Sequence, residues 1–325
     1  MKKLFAILIS VVLLLSVFTA CSSKPETGSE NEGKISVVTT IFPIYDWVRE
    51  LTANTDNVEI TMLLDNGVDL HNYQPTADDI IKVSDCDMFI YVGGESDDWV
   101  EDALENAQNK SMIVINLLEV LGDKAKEEEM VEGMEAEEEE NGEEEGPEYD
   151  EHVWLSVKNA QLFCNDIAEK LAQISPEKKD IILDNAQKYG ADLASLDAAY
   201  ADAVNAASVK TLLFGDRFPF RYLTDDYGLG YYAAFSGCSA ETEASFETIS
   251  FLAQKTDELQ LKYVMTIEGT DHRIAETIVQ NTASKQQEIL VLNSMQGTTA
   301  SDVANGTTYL SVMQQNLEVL KTALS

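Results

Sequence analysis

Three histidines are present in the chain, few enough to take one at a time. His71 lies in GVDLHNYQPTADD, His152 in YDEHVWLSVKNA and His272 in EGTDHRIAET. A solitary histidine is more often a satisfied structural residue than a ligand. Imidazole nitrogens nevertheless suit first-row ions such as zinc, and carboxylates complete such sites. Carboxylates abound: Asp plus Glu number 58 against 22 Lys plus Arg, a net charge of −36. That balance excludes a nucleic-acid partner, which needs a basic face to displace counterions. No HExxH, P-loop, GxSxG or CxxC occurs, and Gly93-Gly94 lacks the rest of a dinucleotide fingerprint. A binding function, not an enzyme, is expected. Glu151 beside His152 would serve a metallohydrolase as general base, but adjacency in sequence is a weak signal.

The elements around these residues alternate. Strands are expected at Ile35–Thr40, Val58–Leu64, Asp87–Gly93 and Ser111–Leu117. Helical spacing follows over Phe42–Thr52, Pro75–Val83, Trp99–Ala107 and His152–Ser175. This alternation argues for an α/β fold with parallel-rich sheets flanked by helices. His71 then falls in a loop at the carboxyl end of a strand, where α/β sheets bind ligands. Ser175 and Pro176 are read as N-cap and first residue of one long helix, Pro176–Ala207, about 45 Å in length. It would be a strut between two lobes. Beyond it, strands are expected at Thr211–Phe214, Gly230–Phe235, Tyr263–Ile267 and Glu288–Leu292. Helices are expected at Phe218–Tyr227, Glu247–Glu258, His272–Thr282 (capped by Thr270 or Asp271) and Thr307–Leu324.

Residues 127–151 interrupt this rhythm with fifteen carboxylates and no Lys or Arg. Like charges this dense build no core. They suit either a solvated surface tract or a low-affinity collector of divalent cations.

At the other extreme of polarity, residues 1–20 carry a basic start (Lys2, Lys3) and an apolar run, as in a secretory signal. The run closes on Ala20-Cys21, which resembles a bacterial lipobox, so lipidation of Cys21 and a polar tether over 21–33 are expected. That address is extracytoplasmic and membrane-anchored. Among the remaining cysteines, Cys86 and Cys164 read as small core residues. Cys238, in the loop FSGCSAE, could act as a thiolate ligand. Three thiols permit at most one disulfide.

GVDLHNYQPTADD, YDEHVWLSVKNA and VVTTIFPIYDWVREL resemble, in order and spacing, motifs of the zinc- and manganese-type substrate-binding lipoproteins of bacterial metal ABC transporters. The acidic tract sits where zinc members often carry an acidic, His-rich loop; this one has the acid but no His. The resemblance covers about Lys34 to Leu324. It implies a metal-binding lobe (34–175), a linker helix (176–207), a second lobe (208–325) and a metal cleft between lobes. It implies His71 and His152 as metal ligands. The family's third ligand falls in LLFGDRFPFRYL, where Gly215 offers no side chain and Asp216 is the substitute; its fourth falls on Asn293. Asp216 and Glu268, then Glu243 and His272, are the candidates to complete the shell. Each has a bland reading: Asp216 paired with Arg217 or Arg221, Glu243 and Glu268 as helix caps. Tyr73, Trp154 and Phe218 are expected near the cleft, Phe218 as core. The implied cargo is Zn2+, with Mn2+ as alternative, and the implied partner an ABC permease. A monomer is expected. The rival is an adhesive surface lipoprotein of this fold without tight metal binding.

Overall fold

The computed structural model describes residues 34–135, 148–239 and 243–325. The signal segment, Cys21, the tether and the middle of the acidic tract lie outside the described residues.

The first lobe runs β1 (Ile35–Thr39), α1 (Phe42–Leu51), β2 (Val58–Met62), α2 (Ala77–Asp85), β3 (Met88–Tyr91), α3 (Trp99–Glu105), β4 (Ile113–Asn116) and α4 (Leu117–Leu121). Its four strands are all parallel, in the order β2-β1-β3-β4. After α5 (Val157–Ile174) and α6 (Lys179–Ala206) comes the second lobe: β5 (Thr211–Arg217), α7 (Arg221–Tyr227), β6 (Gly230–Phe235), α8 (Phe246–Glu258), β7 (Tyr263–Ile267), α9 (Arg273–Asn281), β8 (Glu288–Leu292), α10 (Ala300–Ala304) and α11 (Tyr309–Ala323). Its sheet repeats the pattern, parallel, in the order β6-β5-β7-β8. In both sheets the chain reverses direction of winding beside the first strand, which opens a crevice at the carboxyl edge.

Local chemistry moves several boundaries. The stretch expected as one helix from His152 is a 3-10 turn, Val153–Leu155, followed by α5. Ser156 divides them: its hydroxyl accepts the Asn159 N–H at 3.0 Å and restarts the helix. Ser175 does not cap α6. Its hydroxyl accepts from the Asn57 amide at 2.8 Å and donates to Glu177 at 3.0 Å, and α6 begins at Lys179 without a side-chain cap. His272 itself is the N-cap of α9, in a left-handed conformation with φ 57° and no capping side chain. The helix expected at Thr307–Leu324 is α11, and a short helix that was not expected, α10, precedes it; threonine capping boxes at Thr308 and Thr299 open them. Cys86, Cys164 and Cys238 are all free thiols, and the first two are buried core residues.

One hydrophobic cluster crosses both lobes. It takes in Val37, Trp47 and Phe89 from the first, Tyr189 and Tyr200 from the 28-residue α6, and Phe214, Met265 and Leu320 from the second. Helix α11 comes last in sequence yet packs on α1 and α6 of the opposite side. Tyr309 is its key: the backbone N–H donates to Asp46 on α1 at 2.7 Å, and the hydroxyl donates to the Trp154 carbonyl at 2.8 Å. The Trp47 ring meets Tyr309 edge-on at 5.2 Å. Trp154 Nε1 donates to the Ser294 carbonyl at 2.9 Å, again from one lobe to the other. Lobes that share a dry core and buried hydrogen bonds resist hinging, because parting them exposes apolar area and unpaired polar groups.

Burial pushes the Asp46 carboxyl up from 3.8 to about 6, although the Tyr309 N–H and Arg49 favour its ionised form. Between these values the folded chain keeps a proton that the unfolded chain has released, so stability falls as pH rises through that window. The variant Asp46→Asn has no such proton. Its stability relative to the wild type should therefore increase from about pH 4 to about pH 7, by on the order of 2 kcal/mol, in urea unfolding across that range.

Candidate metal centre

His71 sits in a 3-10 turn, Leu70–Asn72, after β2, where Asp69 Oδ1 accepts its backbone N–H at 3.1 Å. Its ring Nδ1 lies 2.8 Å from Ser96 Oγ and 3.5 Å from Glu151 Oε2. Ser96 belongs to the turn Glu95–Asp97 after β3. That turn is fixed from below: the buried Asp97 carboxylate accepts the N–H groups of Val92 at 3.0 Å and Gly93 at 2.9 Å. Glu151 Oε1 fixes it from the side by accepting the Ser96 N–H at 2.9 Å. Gly94, at φ 86°, is needed here, since a Cβ would collide with the Glu151 carboxylate.

His152 is fully buried just before the 3-10 turn that precedes α5. Its Nδ1 lies 3.1 Å from Asp150 Oδ1, which also accepts the His152 backbone N–H at 2.9 Å. The Trp154 ring packs 5.2 Å away. A carboxylate behind Nδ1 places the proton there and leaves Nε2 with a lone pair. The two Nε2 atoms then point at one another, 3.2 Å apart. Two buried lone pairs so disposed need a cation or a shared proton between them. Burial opposes charge on both rings, but Asp150 holds His152 above its usual value, while burial and the charge on His152 drive His71 down to about 3.

Among the described residues, the cluster of three or more His, Cys, Asp and Glu donors that could hold an ion is His71, His152 and Cys238, all within 4.8 Å of one another. The carboxylates expected to complete the shell are spent elsewhere. Asp216 accepts from the backbone N–H of Arg217 at 2.9 Å and of Ile267 at 3.3 Å, and from Thr270 Oγ1 at 2.9 Å, tying β5 to β7. Its expected partners differ too. Arg217 reaches across the cleft to Asp69 Oδ2 at 2.6 Å, and Arg221 pairs with Glu129. The Arg217 guanidinium holds Asp69 below its usual value against the opposing effect of burial. Glu268 does not cap a helix. It accepts from Ser294 N, Ser294 Oγ and Gln296 N at 2.6, 2.8 and 3.1 Å, joining the ends of β7 and β8. Asn293 turns its amide oxygen to Met295 N at 2.7 Å. Glu243 is exposed. His272 lies against Thr270 in a separate cavity of about 310 Å3 that Asp216 and Arg217 also line.

At Gly215 a Cβ would lie 2.5 Å from the Ala275 Cα, so α9 packs directly on the strand backbone there. The aromatic expectations divide. Phe218 is core and stacks on Tyr231 at 3.7 Å, while Tyr73 turns its hydroxyl to Asp79. Glu151 stands behind His71 on its Nδ1 side, not beside the Nε2 atoms where a metal-bound water would need a base. Ser96 carried no sequence signal; Asp150 could have been found, as a carboxylate two residues before a candidate ligand.

The support behind His152 is testable. Asp150→Asn keeps an acceptor for the backbone but removes the charge that fixes the ring, and should weaken zinc binding about 10–100-fold by calorimetry.

Comparison with known proteins is consistent with this geometry. The chain is 32% identical over 324 residues to the zinc-binding lipoprotein AdcA of Streptococcus pneumoniae (strain ATCC BAA-255 / R6), covering 99% of this chain and 61% of that one. It thus spans about three fifths of that relative's length. It is 28% identical over 327 residues to the high-affinity zinc uptake system protein ZnuA of Bacillus subtilis (strain 168), covering 99% and 98%. Among crystal structures, the Zn(II)-bound ZnuA-like domain of Streptococcus pneumoniae AdcA superposes with a TM-score of 0.70 at 29% identity, over 90% of this chain and 99% of the domain. The metal-dependent lipoprotein YcdH from Bacillus subtilis gives 0.73 at 25% identity, over 90% and 100%. A family model described as the periplasmic component A of the zinc-uptake complex matches residues 37–323, and the chain belongs to that family, ZnuA.

Proposed function

We propose that the chain is an extracytoplasmic solute-binding protein that captures zinc between its lobes and hands it to an ABC permease. The observation that carries this reading is the pair of imidazoles, His152 buried and His71 partly so, with Nε2 facing Nε2 at 3.2 Å and each ring held from behind. Zinc is cargo here, not a resident cofactor. Two imidazole donors favour zinc over manganese, which prefers oxygen. Membership of the zinc-uptake family and the names of the relatives support the same cargo and partner. Cys21 would supply a lipid anchor beside the permease, with 21–33 as tether and 1–20 as signal. The acidic tract 127–151 would gather cations near His152, to which it leads. The chain would divide into a lobe over 34–175, a strut over 176–207 and a lobe over 208–325. The chain would work as a monomer, with modest closure.

Chelator-stripped protein titrated with zinc should show tight one-to-one binding, and manganese weaker binding. His71→Ala and His152→Ala should each abolish the tight phase, and deletion of 136–147 should preserve it. Zinc at about 100 times its dissociation constant should add about 2.7 kcal/mol of stability to the wild type and none to His71→Ala. A wild type that gains no stability from zinc would overturn the reading.

A further inference from the structure

We propose that Cys238 is the third protein ligand of the zinc site, so that the centre is two imidazoles and one thiolate. This rests on the zinc reading above and deepens it.

The thiol is brought to the histidines by the loop after β6, at the carboxyl edge of the second sheet. Donor atoms sharing one tetrahedral zinc, with bonds of about 2.0–2.3 Å, lie about 3.3–3.8 Å apart. A cluster within 4.8 Å therefore needs only a small contraction to close on an ion. The approach is built into the sequence. At Gly237 a Cβ would stand 3.0 Å from His152 Cε1 and Nδ1 and from the Phe218 carbonyl oxygen, so a side chain would push the loop, and the thiol with it, off the ring. On its other side, the Cys238 N–H donates to Glu128 Oε1 at 2.9 Å, which anchors the loop to the start of the acidic tract.

Behind the histidines, Glu151 Oε2 is buried, accepts no hydrogen bond among the described residues and lies 3.5 Å from His71 Nδ1, whose own partner is Ser96 Oγ at 2.8 Å. Burial and then the carboxylates of Glu128, Asp150 and Glu151 push the thiol up, while the Glu151 N–H favours the thiolate. On binding, a zinc–sulfur bond forms, the S–H bond breaks and its proton leaves to solvent. No disulfide competes, since Cys86 and Cys164 are free and buried in the core. Three protein donors leave the fourth position of tetrahedral zinc for an exchangeable ligand, which suits a cargo that must depart. The thiolate also sets the cargo class: borderline and soft divalent ions, zinc and cadmium, over manganese.

Cobalt reads this directly. The stripped full chain titrated with Co2+ should develop a sulfur-to-cobalt charge-transfer band in the near ultraviolet. Cys238→Ser should lose that band, keep the weaker ligand-field bands, and bind zinc at least about tenfold less tightly with a narrower zinc-to-manganese preference. In the wild type, zinc should protect Cys238 from alkylation, read at the peptide level, which keeps the test independent of the variant's folding. Tight zinc binding without the band, or with Cys238 unprotected, overturns the inference and leaves the histidine site standing. If His71→Ala and Cys238→Ser both bind zinc like the wild type, the zinc reading itself falls.

Discussion

The distance between two sheet edges is the constraint on which the rest of this molecule depends. It is set by a core that does not stop at the lobe boundary. Tyr309 binds Asp46 with its N–H and Trp154 with its hydroxyl, and Trp154 binds Ser294, so three segments far apart in sequence are locked by buried hydrogen bonds. Each such bond is costly to leave unmade. The carboxyl edges therefore face each other at a fixed gap, and small differences in loop length decide what meets across it.

What meets is held from behind more than from in front. Ser96 and Asp150 each occupy an Nδ1, Asp97 holds the Ser96 turn, and Arg217 with Asp69 spans the lobes beside them. The rings are thus aimed before any ligand arrives, and little conformational entropy is left to lose on binding. An ordinary loop would let two buried imidazoles drift apart to find water.

The fold was largely legible, because parallel strands buried on both faces read as short β-branched runs and alternate with amphipathic helices. Ile35–Thr39, Gly230–Phe235 and Tyr263–Ile267 are such runs, and His71 and His152 stand in motifs that a resemblance could fix. Their partner was harder. Asp216 and Glu268 looked like ligands because a carboxylate at a strand end can either bind a cation or tie neighbouring strands, and composition does not tell which. Here backbone N–H groups claim both. Gly215 looked like a lost ligand, and nothing in the sequence said that a helix packs against it. Cys238 was one weak candidate among many, since nothing local says that the β6 loop crosses to a histidine fixed by the other lobe. The helix starts at Val157 and Lys179 slipped for a smaller reason: Ser156 and Ser175 are chemically equivalent caps, and tertiary partners chose only one of them.

The clustered side chains of His71, His152 and Cys238 come from three distant stretches of chain, two on one lobe and one on the other. No partly folded chain can gather them, so the site exists only when the whole architecture does. If these three side chains hold an ion, binding and folding are one equilibrium viewed from two ends. Any substitution that loosens the shared core, however far from the cleft, draws on the same free energy that holds the ion. A metal-loaded molecule would, by this coupling, be a folded one, and whatever recognises the loaded form would inspect the fold along with the ion.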